Sequence, residues 1–101
     1  MAVRDQLKKH GIKFDDFWEW AEVASKGSHE RLFDSYERAL VDLEIGAGRY
    51  DLWLRSNWNK PDFEFGKKRW EQKQKRLQDR AMVRLERIFN AYKKSIAGRT
   101  R

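Results

Sequence analysis

Few residues in this chain are equipped for chemistry. His10 and His29 are its histidines, and it has no cysteine. Disulfides, thiolate nucleophiles and cysteine-based zinc sites are therefore excluded. Neither histidine has companions at metal-ligand spacing, so no metal and no cofactor is expected. Glu19 and Glu22 share a helical face, but paired acids on an exposed helix are ordinary when no cleft or histidine adjoins them. The "GAG" at 46–48 follows no strand, as a phosphate-binding glycine loop would. The chain is read as a non-enzyme.

The other candidate chemistry is charge. "GKKRWEQKQKRLQDR", residues 66–80, holds seven basic side chains, two acids and, as its large apolar residues, Trp70 and Leu77. The asymmetry extends beyond this run. Residues 12–48 carry four basic and nine acidic side chains, whereas residues 49–101 carry sixteen basic and six acidic ones. Such a layout points either to a polyanionic partner for the basic half or to pairing between the halves. Lysine, arginine and glutamine bond to phosphate and sugar, which positions a protein without reading bases. The expected function is non-enzymatic docking on nucleic-acid backbone, RNA or DNA, alone or within a nucleoprotein complex. Lys67, Lys68, Arg69, Lys73, Lys75, Arg76 and Arg80 are the expected phosphate contacts. Trp70 could stack on an unpaired base, although a place in the protein's own core is the simpler role for it.

A rival reading is a small inhibitor or adaptor that occupies a partner protein's surface. It rests on Trp58, set between Asn57 and Asn59, since tryptophan is enriched at interface hot spots, and on the acids Asp15, Asp16 and Glu19. Self-association is a third reading. A membrane surface is not expected, because the basic run has too few apolar anchors to lie in one. Segment 7–23 has a helix-turn-helix outline, with Leu7, Gly11, Ile12 and Phe17 near the expected positions. Its second helix, however, would carry Asp15, Asp16, Glu19 and Glu22 with no basic residue, and a phosphate-lined groove would repel it.

These residues must be positioned by helices. The chain's 101 residues are 40% hydrophobic with 14 aromatics, enough for one core and one domain. No apolar run approaches the ~20 residues of a membrane span, and the N-terminus lacks a signal peptide's apolar region. An intracellular, cytoplasmic protein is expected. Residues 1–27 read as two short helices punctuated by Gly11 and Gly27, with Phe14, Phe17, Trp18, Ala21 and Ala24 on one face of the second. Ser28 reads as the cap of a third helix over 28–57. There Leu32, Tyr36, Ala39, Leu40, Leu43, Ala47, Tyr50 and Leu54 recur at helical spacing. Gly46 and Gly48 raise the question of a kink, but the phase runs through them. Pro61 breaks the chain. A long basic helix follows over 62–97, with a basic tail at 98–101.

At ~1.5 Å per residue the last helix spans roughly 50 Å and needs an equally long neighbour. Folding 28–57 and 62–97 back to back about Pro61 supplies one, and sets Tyr50 beside Trp70, Leu43 beside Leu77 and Leu32 beside Phe89. The fold class expected is all-α: a small helical bundle built on a long antiparallel helical hairpin, closed at one end by two shorter N-terminal helices through Phe17, Trp18 and Trp20.

Overall fold

In the computed structural model, which describes residues 3–99, all regular structure is helical. The elements are α1 (Val3–Lys9), α2 (Phe14–Ala24), α3 (Glu30–Asn57) and α4 (Phe63–Arg99). The expected antiparallel hairpin of α3 and α4 is present, and the molecule is a rod of 63 × 25 × 18 Å. Among the described residues no helix is long and apolar enough to cross a membrane.

Gly11 sets the first turn. Its φ is 68°, a left-handed conformation that glycine adopts at no steric cost. The Gly11 N–H donates to the Lys8 carbonyl at 3.1 Å and the Ile12 N–H to the Leu7 carbonyl at 2.9 Å. This is the Schellman closure, which brings the residue after the glycine onto the last helical turn. Leu7 and Ile12 thereby enter one apolar cluster. Lys13 takes the cap position of α2, and its side chain makes no capping bond; Asp15 and Asp16 in the first turn favour the positive end of the helix dipole. α3 begins one residue later than Ser28 would set it, with His29 at the cap position and again no side-chain cap bond.

The core lies at the end of the rod away from Pro61. Leu7, Phe17, Ala21, Leu85, Ile88, Phe89 and Tyr92 are buried together there. Phe17 meets Phe89 edge-on at 5.3 Å and Tyr92 at 5.6 Å. One expectation is corrected in α2. Trp20 joins this cluster with Phe17, 5.3 Å from Tyr92 and 6.0 Å from Phe33, but Trp18 does not. Trp18 is 54% exposed and stacks on Phe14 within the helix. α2 must face α3 and α4 at once, and this turns its buried arc towards residue 20.

α3 runs unbroken through both glycines. Its contact line with α4 passes through Tyr36, Ala39, Leu43, Gly46, Tyr50, Trp53 and Asn57, while Ala47 is exposed. Those steps alternate three and four, the 3.5-residue period of a left-handed helix pair. The answering line on α4 is Phe63, Lys67, Trp70, Gln74, Leu77, Ala81 and Arg84, all buried or half-buried. Tyr50 stacks on Trp70 at 5.9 Å and 8°. Trp53 stacks on Phe63 at 5.5 Å and 8°. Close approach has identifiable causes: a Cβ at Gly46 would stand 3.0 Å from Leu77 Cδ1, and one at Gly66 would run into the Trp53 ring.

Candidate nucleic-acid interface

The seam decides where the basic residues of α4 can point. With Trp70, Gln74, Leu77 and Ala81 turned towards α3, a helix of 3.6 residues per turn sorts the others into two flanks. Arg69, Lys73, Arg76 and Arg80 follow one another at steps of four, three and four, so they stack along one line. Arg84 and Arg87 continue it towards the core end. No acid of α4 falls on this line: Glu64, Glu71, Asp79 and Glu86 lie across the seam or on the outer face.

Seven side chains expected to share a broad face thus divide. Arg69, Lys73, Arg76 and Arg80 are exposed together on one flank. Lys68 and Lys75 lie on the other side, each three or four residues from Glu64, Glu71 or Asp79, and Lys67 is half-buried in the seam itself. Arg84 reaches across, its Nη1 donating to the Ser35 carbonyl at 3.4 Å. Arg49 of α3, four residues before Trp53, extends the basic flank onto the neighbouring helix. Arg38 adds less, because Asp34 and Asp42 adjoin it.

Near the Pro61 turn this flank opens into a groove of about 520 Å³. Its walls include Trp53, Phe65, Arg69, Trp70, Lys73 and Arg76. The Arg69 guanidinium stands 6.0 Å over the Phe65 ring and the Lys73 ammonium 5.4 Å over Trp70. Trp70 itself is committed to the seam, stacked against Tyr50 and half-buried. The exposed ring is Phe65, at 68%. Sequence reasoning passed over Phe65; the available signal was an aromatic residue out of step with the seam and four residues before an arginine. On the far side of the hairpin the Tyr50 hydroxyl donates to Glu71 Oε1 at 3.4 Å. Burial, and then the Glu71 and Glu64 carboxylates, push the Tyr50 phenol above its ordinary range.

The remaining candidates are scattered. Trp58 is 69% exposed beside the Pro61 turn. Asp15, Asp16 and Glu19 are exposed on α2, which packs on Phe89 and Tyr92, some 26 residues and ~39 Å along α4 from the turn. The two proposed partner-binding features do not form one surface. His10 accepts a hydrogen bond at Nδ1 from the Lys93 ammonium at 2.9 Å and packs 5.2 Å from Phe89. His29 lies 5.6 Å from Trp20. Among the described residues no three of histidine, cysteine, aspartate and glutamate come together as a metal site would require. A larger hollow of about 690 Å³ between α2 and α4 is lined by Asp16, Glu19, Trp20, His29 and Tyr92. Its carboxylates disfavour an anionic ligand.

Comparison with protein-family models, with curated proteins and with solved structures found no match to this chain.

Proposed function

We propose that this protein is a non-enzymatic binding protein that docks on nucleic-acid backbone through the flank of α4 carrying Arg69, Lys73, Arg76 and Arg80. One observation carries the reading. The seam uses Trp70, Gln74 and Leu77 and leaves these four cations aligned, exposed and without an acid among them. Consecutive members rise ~5 Å along the helix, so the line can follow a strand of phosphates over ~17 Å. Neutralising four phosphates releases their counterions. The affinity should then fall with salt at a logarithmic slope of about −3.6 on duplex or about −2.8 on single strands.

The test uses purified protein stripped of nucleic acid in high salt, with fluorescence anisotropy of labelled DNA and RNA across a salt series. Lys73→Glu, Arg76→Glu and Arg80→Glu together should abolish binding, with the helical circular dichroism unchanged. The same reversal at Lys68 and Lys75, on the other side, should leave most of it. Equal loss from both sets, or no binding by the native protein even at low salt, would overturn the proposal. The second reading, a protein-binding inhibitor or adaptor, keeps the support of Trp58, a large aromatic exposed at a loop. Retention of a partner by native protein but not by Trp58→Ala would favour it.

A further inference from the structure

We infer that the groove beside the Pro61 turn holds an unpaired base, so that the preferred partner is a single strand and not a duplex; this rests on the backbone-docking reading above. Phe65 is the platform. It lies four residues before Arg69, on the same flank as the basic line, and its ring is 68% exposed although large. The core end of the molecule buries or half-buries its aromatic rings apart from Trp18, and the seam employs Tyr50, Trp53, Phe63 and Trp70. Phe65 belongs to neither group. A benzyl ring left in water beside three cations suits a ligand that is flat, apolar on its faces and anionic at its edge. A nucleotide has that chemistry.

The groove's dimensions agree. Its volume of about 520 Å³ falls within the roughly 300–1,000 Å³ of small-ligand sites. Arg69, Lys73 and Arg76 lie along it, in position to hold the phosphates on either side of a base resting on Phe65. Arg69 already stands over that ring, so a guanidinium and a benzyl ring offer two adjoining stacking surfaces. Asn57 donates its side-chain N–H to the Trp53 carbonyl at 2.9 Å, which leaves its oxygen to accept from a base edge. Asp62 is the one acid among the lining residues and is a second acceptor of the same kind. Bases in a duplex are paired and stacked on one another, and reaching Phe65 would require flipping one out. An acidic peptide would satisfy the cations but would leave the ring without a flat partner.

Three labelled probes of equal phosphate number separate the inference from the reading beneath it: a thymidine single strand, an abasic single strand and a hairpin duplex. Base stacking on an aromatic side chain contributes a factor of about 5 to 150 in affinity per base. Native protein should bind the thymidine strand more tightly than the abasic strand by a factor in that range. Phe65→Ala should bring the two together while leaving duplex affinity within about twofold, and Phe65→Trp should restore the preference. The Phe65 side chain is exposed, so unchanged thermal melting is expected and serves as the control. If the abasic strand binds as well as the thymidine strand, and the Lys73, Arg76 and Arg80 reversal still abolishes both, the base site is refuted and backbone docking stands. If none of the probes binds at low salt, both fall together.

Discussion

Gly48→Ala and Gly66→Ala make a paired experiment in which the substitution is the same and the surroundings differ. Both glycines sit inside helices, where replacing glycine by alanine gains about 1 kcal/mol of helix propensity. A Cβ at Gly48 meets nothing within 4 Å, so the gain should appear in full. For a chain of this size it amounts to a rise of about 4–8 °C in the melting temperature. A Cβ at Gly66 would stand 2.7 Å from Trp53 Cη2, with another ring carbon nearer still. The indole cannot swing away, because it is stacked on Phe63 at 5.5 Å with Tyr50 and Trp70 rings 6.5 and 6.3 Å off. Overpacking of this kind costs about 1–3 kcal/mol. Propensity cancels between the two variants, so the difference in their stabilities, about 1–3 kcal/mol in favour of Gly48→Ala, measures the clash alone. Thermal and urea unfolding followed by far-ultraviolet circular dichroism provide the assay. A Gly66→Ala protein that melts as high as Gly48→Ala would show that α3 and α4 do not approach as closely as described.

Two further outcomes follow from the same contact line. Gln74 Oε1 is buried with no hydrogen-bond partner, so Gln74→Leu should stabilise by about 1 kcal/mol, the cost of a stranded acceptor. It should appear as a higher urea midpoint with the slope unchanged, and a lower midpoint would mean that the amide is satisfied. Burial pushes the Tyr36 phenol above its ordinary value of 10.0. The native state therefore holds that proton more tightly than the unfolded chain does. Stability from this group is complete below about pH 10 and is lost as pH rises through the raised native value. Tyr36→Phe should make unfolding less steeply dependent on pH above 10 than in the native protein, and identical slopes would contradict the assignment.

The hairpin was legible because its signals are redundant. Pro61 admits one chain reversal, and the apolar residues on either side of it match at similar distances, which brings Tyr50 onto Trp70. The exact seam was not legible. A phase through Leu43, Ala47, Tyr50 and Leu54 and one through Leu43, Gly46, Tyr50 and Trp53 share half their members. Hydropathy prefers the first because glycine has no side chain to score. What selects the second is that backbones can approach only where Gly46 and Gly66 leave room, a property of two helices together. Trp18 and Trp20 failed to separate for a similar reason, since one helical pattern cannot show that α2 has two neighbours. The basic flank inherited this uncertainty. Its composition was plain, but its division into a line of cations and a side that also carries Glu64, Glu71 and Asp79 depends on knowing which residues face α3. Phe65 stayed hidden with it.

Between residues 44 and 78 Gly46 is the one buried residue, whereas Leu85, Ile88 and Phe89 at the other end are almost wholly shielded. The rod is packed unevenly, rigid at the core end and held towards the Pro61 turn by half-buried rings. Cooperative units with so few buried apolar contacts open before the remainder unfolds. The hairpin end can therefore loosen about its turn while the core end stays intact, and any polyanion laid along α4 would span the junction and act as a splint.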